Sequence, residues 1–420
     1  MISSELFIFN RQRLVALLED KALALLVSND EMPRTGDQNF PFRQNSNFFY
    51  LTGINQAKSI AALCPHHPNP AMREILFIEG ITGQTTVWDG YKYTQDHAAQ
   101  ASGIKTVFEI TQFDAVLRDL TYFSKNIYID IQEHIKYTTE VERQELRFFK
   151  KIKEKYPLHN YFRLYPLLVQ LRLVKSGWEL EQIQLACDIA VKTFRRLLAF
   201  VKPNVREYEV EAEIIHEFLC NQAKPAFAPI AASGKNACVL HYASNGNVCK
   251  DGDLLLLDFG AEFANYASDI SRTIPINGKF SPRQKQVYEA CLRVFEYGKT
   301  LYIPGMTISK VYKKICEAME KELLELGLFS EEDLQKETIR GSLMKKYFMH
   351  NVAHFVGLDV HDVGDNDILF ESGMLLTCEP GIYIPEENTG IRIETMLLVT
   401  EKSPIDLMAS APTAVVDIEK

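Results

Sequence analysis

The sequence predicts two domains: an α/β N-terminal domain with a mixed sheet over residues 1–163, then an α+β C-terminal domain over residues 164–420. Three observations carry this. A chain of 420 residues exceeds what one hydrophobic core usually serves. Up to about residue 150, short apolar runs alternate with helical patterns, the texture of an α/β layer. Beyond that come longer helical patterns and apolar runs ending in turn signals, which read as helices with antiparallel sheet.

In chain order, Asn10–Asp20 reads as a short helix and ALALLV at 22–27 as a buried strand. The aromatic-rich FRQNSNFFYLTGI, residues 42–54, reads as a strand region closed by a glycine turn. Strands are expected at Glu74–Ile78, Thr85–Trp88, Thr106–Ile110 and Ile127–Ile131, with a helix at Thr94–Ala101. Residues 138–156 are charge-rich, and Pro157 and Pro166 punctuate the stretch that follows. Ser176 then caps a long helix, with Glu179 three residues on as in a capping box; Pro203 ends it. Helices follow at Glu207–Asn221, Pro282–Tyr297 and Thr307–Leu326, with strands at Leu254–Phe259, Met374–Thr377 and Ile391–Val399.

The formal charge of −9 is spread along the chain, which argues against nucleic acid or an anionic membrane as partner. No apolar run approaches the roughly 18 residues of a membrane span. MISSELFIFNRQRL lacks the pattern of a secretory signal, so a cytoplasmic protein is expected. Eight scattered cysteines without a C-x-x-C read as reduced thiols, Cys378 among them as packing. Gly298-Lys299-Thr300 imitates the end of a P-loop, but Arg293 stands where its first glycine belongs. No G-x-G-x-x-G, H-E-x-x-H or G-x-S-x-G is present.

Four strand-edge clusters remain. In LLLLDFGAEFANYASDISRT, Asp258 and Asp269 are symmetric about a turn between Phe263 and Ala264. Directly paired in a hairpin, two buried carboxylates repel, and a multivalent cation removes the conflict; the alternative is a glycine turn beside a solvated Asp269. MHNVAHFVGLDVHD places His350, His354 and His361 within twelve residues, against a reading as helix-surface histidines. In SGMLLTCEPGIYIP, Glu379 follows an apolar strand and precedes Pro-Gly, where a plain turn residue is the alternative. In TGIRIETMLLVT, alternation puts Arg392 and Glu394 on one face, and a surface salt bridge is the bland alternative. Together they supply four carboxylates and a histidine, an oxygen-rich set suited to manganese, cobalt or zinc rather than to thiol-bound structural zinc.

Residues 170–405 resemble the pita-bread metallopeptidase family through DFG…SDISRT, HFVGLDVHD, EPGIYI and GIRIE. The HxxxHxxGLDVHD form is similar to its proline-specific branch, and FRQNSNFFYLTG and VWDGY extend the likeness into a creatinase-like N-terminal domain. The resemblance implies two divalent metal ions, manganese first with zinc or cobalt as alternatives, held by Asp258, Asp269, His354, Glu379 and Glu394. Asp269 and Glu394 would bridge them. It implies that the ions generate a hydroxide that cleaves the bond between an N-terminal residue and a following proline. Glu379 would move the proton, His241 and His361 would bond the scissile carbonyl and oxyanion, and His350 would shape the proline pocket. Arg392 would orient ligating carboxylates. Tyr383, and Trp88 from a neighbouring subunit, are candidates to wall that pocket, with core packing as the alternative for each. Peptides with proline at the second position are the implied partners, with a dimer or tetramer as the assembly. The N-terminal domain would govern substrate length and oligomer contacts. A prolidase acting on Xaa-Pro dipeptides with the same site is the alternative, and a non-catalytic binding protein a remote one.

Overall fold

The computed structural model describes residues 2–81, 87, 90–134, 136–137 and 139–419. The strand expected at Thr85–Trp88 lies outside the described residues apart from Val87, and so does Trp88 itself. The chain forms two compact units, Met1–Arg172 and Leu173–Lys420.

The first unit is built on a six-stranded mixed sheet. Its strands are β1 (Ala22–Val27), β4 (Ile60–Leu63), β5 (Glu74–Ile78), β6 (Thr106–Glu109), β7 (Asn126–Ile129) and β8 (Asn160–Arg163). Their order is β6-β5-β4-β1-β7-β8. β1 runs parallel to β7 and antiparallel to β4. All six residues of β1 are buried, as a central strand covered on both faces requires. Leu23, Leu25, Phe77, Ile127 and Ile129 pack with Phe113, Leu117 and Leu120 of helix Phe113–Phe123 and with Phe148 and Ile152 of helix Gln144–Lys155. A two-stranded hairpin, β2 (Pro33–Thr35) with β3 (Gln38–Asn39), stands apart and exposed.

Two expectations for this unit need correcting. The first helix is Ser4–Val15, not Asn10–Asp20, because Ser3 supplies the N-cap. The aromatic segment 42–54 is not a strand. Asn45 accepts from the Phe48 amide and opens helix Ser46–Thr52, and Gly53 closes it at φ +66. Aromatic content suggested a strand, and the caps decided for a helix. The compact unit ends at Arg172. Helix Tyr165–Leu173 belongs to it because Arg172 donates to Asn47 Oδ1 and Tyr50 donates to the Leu171 carbonyl.

The second unit is α+β, and among the described residues all its strand pairings are antiparallel. Helix Gly177–Phe200 opens with the expected Ser176–Glu179 capping box, and helices Glu207–Cys220, Pro282–Lys299 and Ile308–Glu325 follow. The strands are β9 (Lys224–Pro225), β10 (Ile230–Ser233), β11 (Leu254–Phe259), β12 (Ala261–Phe263), β13 (Tyr266–Ala267) and β14 (Ile270–Pro275). β15 (Leu375–Cys378), β16 (Gly381–Ile384), β17 (Thr389–Arg392), β18 (Thr395–Leu398) and β19 (Ile405–Asp406) complete the set. They pair as β10-β11-β14, β13-β12-β9, β15-β18-β19 and β16-β17. The run 391–399 is therefore two strands, broken at Ile393-Glu394. Gly298 lies in a helix, where an added Cβ would meet Ile315 Cδ1 at 3.0 Å and Cys378 Sγ at 3.1 Å, so packing explains that glycine. All eight cysteines are free, and among the described residues no helix is long and apolar enough to cross a membrane.

Candidate metal centre

The site forms where β11, β14, β17 and the segments around His354 and Glu379 converge. Four buried leucines carry β11 into the core and deliver Asp258 near its end. The expected direct pairing of Asp258 with Asp269 does not occur: Asp258 pairs with Ser271. Phe263 pairs with Tyr266, so the hairpin turns at Ala264-Asn265, one residue later than expected. Both turn residues have positive φ, +51 and +67, the requirement of a tight hairpin turn that follows the strand twist. By the two-residue strand period Asp269 still faces the side of Ser271, making it a diagonal neighbour of Asp258. Gly260 permits this bend, since a Cβ there would lie 1.8 Å from the Ser268 carbonyl oxygen.

His354 is held from three sides. Its amide donates to Thr377 Oγ1 (3.0 Å), its carbonyl accepts from the Thr377 amide (2.9 Å), and its Nδ1 sits 3.1 Å from the Phe355 carbonyl. A carbonyl only accepts, so Nδ1 carries the proton and Nε2 is turned towards the carboxylates. Nε2 lies 3.3 Å from Asp269 Oδ2 and 3.8 Å from Glu379 Oε1. The Glu379 amide donates to the Val352 carbonyl at 3.0 Å, tying β15's end to the histidine segment. Glu394 sits in the break between β17 and β18; its amide donates to the Ser271 carbonyl, and Ser271 Oγ donates to its Oε2 at 2.7 Å.

Donor atoms of Asp269, His354 and Glu394 all lie within 4.8 Å of one another, a grouping that can hold a metal ion. Asp258 Oδ1 and Asp269 Oδ1 are buried with no hydrogen-bond partner. Orphan buried carboxylate oxygens are costly, and a cation would satisfy them. The donor set therefore fits divalent metal.

The electrostatics agree. Burial pushes the Asp269 carboxyl up to about 6 and Glu379 up to about 7. Burial, with Asp269 and Glu379 alongside, holds Glu394 well above the usual range. Burial alone disfavours the His354 imidazolium, but Asp269 and Glu379 outweigh it and the net shift is upward. Without a cation, this cluster gathers protons instead.

Arg392 is buried and donates to Asp258 Oδ2 (2.5 Å), Ser271 Oγ (2.8 Å) and the Tyr383 hydroxyl (2.9 Å). The Tyr383 oxygen lies 2.8 Å from His350 Nε2, while His350 Nδ1 lies 2.6 Å from the Asn351 carbonyl. Arg392 thus donates to Tyr383, and Tyr383 donates to His350. Burial, then the Arg392 charge, hold His350 down at about 4, so its ring is neutral. His361 packs edge-on against His354, ring centroids 4.3 Å apart. The cavity, about 360 Å³, is lined by all nine sequence-predicted site residues: His241, Asp258, Asp269, His350, His354, His361, Glu379, Arg392 and Glu394. Tyr383 is not on its wall; fully buried, it links Arg392 to His350 instead. Phe227, Ala228, Ile230, Leu240 and Val360 supply an apolar wall that sequence reasoning missed. Ser271 and Thr377 were missed as well, although Ser271's place two residues after Asp269 on a strand was a usable signal.

An α+β unit presenting this cluster in a cavity defines a metal-dependent hydrolase. The description "Metallopeptidase family M24" matches residues 181–401, and "Aminopeptidase P, N-terminal domain" matches residues 7–128. The chain belongs to metallopeptidase family M24. It is 33% identical to the Xaa-Pro aminopeptidase of Haemophilus influenzae, covering 100% of this chain and 97% of that relative. To the Xaa-Pro aminopeptidase of Escherichia coli K12 it is 32% identical, again over 100% and 97%. Its fold matches Pseudomonas aeruginosa aminopeptidase PepP with a TM-score of 0.90 at 30% identity, covering 100% and 98%. Zinc-substituted E. coli aminopeptidase P in complex with product matches with 0.87 at 31%, covering 99% and 97%. The fold class expected from sequence, a mixed-sheet α/β domain before a pita-bread domain, is the one found.

Proposed function

We propose that this chain is a metallo-aminopeptidase that hydrolyses the bond between an N-terminal residue and a following proline. The observation that carries the chemistry is the convergence of Asp269, His354 and Glu394 beside two orphan carboxylate oxygens. Likeness along the full length to proteins named Xaa-Pro aminopeptidase supports the substrate class. The prolidase reading has no such support.

Asp258, Asp269, His354, Glu379 and Glu394 would hold two divalent ions, manganese by preference for this oxygen-rich set. When bound, such ions lower the pKa of water towards neutrality and polarise a carbonyl. Glu379, a cavity-lining carboxylate 3.8 Å from His354 Nε2, would take a proton and pass it to the leaving nitrogen. That nitrogen carries no hydrogen in an Xaa-Pro bond and its ring is bulky, so the bond needs a dedicated pocket. His241 and His361, exposed to the cavity, would donate to the scissile carbonyl as charge develops on it. Neutral His350, with both ring nitrogens engaged, serves as a rigid wall for the proline ring together with Ile230, Leu240 and Val360. The substrate amine would sit near Asp258, which Arg392 orients. The first unit would limit substrate length and make the contacts of a dimer or tetramer, and the free thiols suit a cytoplasmic setting.

The test is a panel of Xaa-Pro peptides of increasing length, assayed with added manganese. Release of the first residue from Xaa-Pro-Yaa-Zaa, abolished by a chelator, is the expected result. Cleavage of Xaa-Pro dipeptides alone would overturn the aminopeptidase reading.

A further inference from the structure

We propose that Lys175 and Asp362 are positioning residues that set the ring of His361 in the cavity; this rests on the reading of the site given above. Lys175 Nζ lies 3.0 Å from Asp362 Oδ2, and each side chain is only 1% exposed. Lys175 is itself a fixed post. Its amide donates to the Gly373 carbonyl at 2.9 Å, and the Ser176–Glu179 capping box follows at once.

The pair grips an irregular loop. The Asp362 amide donates to the Phe355 carbonyl (2.8 Å), the Gly357 amide to the Asp359 carbonyl (3.0 Å) and the Val356 amide to the Leu375 carbonyl (3.1 Å). A Cβ on Gly357 would lie 2.2 Å from Asp362 Oδ2 and 3.0 Å from Lys175 Cε, so the loop closes directly onto the pair. Asp362 is buried, whereas its neighbour His361 is exposed and lines the cavity. With Asp362 drawn inward, His361 emerges on the cavity side against His354. A buried ion pair adds little stability over an apolar pair of the same volume. What it adds is direction, fixing which atom of the loop meets which atom of the post. His354 has its own anchors in Thr377 and Phe355, so metal holding does not depend on the pair.

The experiment is a cycle on the full-length, manganese-loaded protein: Lys175→Met/Asp362→Leu, His361→Ala, and the two combined. The double exchange is expected to keep wild-type manganese content while kcat falls about tenfold or more and KM stays within about threefold. In the His361→Ala background the same exchange should cost less than about twofold, because its target is gone. An unchanged kcat, or the same loss with and without His361, overturns the proposal. If the double exchange does not fold, Asp362→Asn, which keeps the shape and removes the charge, goes through the same cycle. A second readout needs no activity. In ¹³C-histidine-labelled protein the His361 ring resonance, assigned by its loss in His361→Ala, should move in the pair variant while that of exposed His216 stays. A stationary His361 resonance overturns the proposal. A shifted one in a protein that cleaves no Xaa-Pro peptide removes only the reading of the substrate.

Discussion

Glu379 offers a direct test of the metal centre's electrostatics in chelated protein. Burial holds its carboxyl at about 7, against an ordinary 4.5. The folded state therefore binds this proton more tightly than the unfolded chain does. The stability it contributes is complete below pH 4.5 and is lost as pH rises through about 7. The displacement corresponds to roughly 3 kcal/mol. Glu379→Gln has nearly the same shape but stays neutral, so it escapes this loss. In a domain of this size the variant's Tm should overtake the wild type's by roughly 6–12 °C between pH 4.5 and 8. His350, held down at about 4, acts oppositely, its stability being lost as pH falls below 6.5. His350, Asp269, His354 and Glu394 are present in both proteins, so the comparison reads the Glu379 charge together with its effect on these neighbours. Differential scanning calorimetry with chelator, in half-unit pH steps, reads the divergence. Parallel Tm curves would refute the argument, since they would mean that Glu379 ionises in the folded state as freely as in the unfolded one. Added manganese should reverse the order at pH 8, because the wild type keeps one more carboxylate for the cation.

Asp258→Ala and Glu394→Ala should each abolish peptidase activity and tight metal loading by elemental analysis; full activity in either would sink the two-metal reading. Gly260→Ala should lower Tm by about 6 °C or more and weaken metal binding, because its Cβ would sit 1.8 Å from the Ser268 carbonyl. Gly246→Ala, whose Cβ finds nothing nearer than 3.7 Å, is the matched control. Metal binding near pH 6 should release protons held by Glu379, Glu394 and His354. Calorimetric titration in two buffers of different ionisation enthalpy measures that release, and equal apparent enthalpies would contradict it.

The site was more legible in the sequence than the geometry that assembles it. Asp258, His354, Glu379 and Glu394 each stand where an apolar run ends or a turn begins, and a charge in such a place needs a partner. The register of the β11–β14 hairpin was not legible, because symmetry about Phe263-Ala264 looked as good as the Ala264-Asn265 turn that forms. Only positive φ at both turn residues separates the two. Helix Ser46–Thr52 was hidden by its own aromatics, which favour strands on average, while the decisive cap at Asn45 is one side-chain hydrogen bond. Tyr383 shows the same limit from the other side. An aromatic beside Glu379 suggested a pocket wall, but strand alternation turns it inward to meet Arg392 and His350.

Charge balance supports the proposal of two ions in this cavity over one. Asp258, Asp269, Glu379 and Glu394 bring four negative charges when ionised, and Arg392 returns one. A single divalent ion leaves the buried site negative, which repels both hydroxide and a developing oxyanion. A second makes it slightly positive, the sign that stabilises them. The carboxylate geometry divides the work in the same way. Arg392 occupies Asp258 Oδ2 and His354 faces Asp269 Oδ2, so each aspartate has its Oδ1 left unpartnered. One orphan oxygen could be met by a single ion beside it. Two such oxygens, beside the grouping of Asp269, His354 and Glu394, suit the proposed pair of ions with Asp269 and Glu394 shared between them.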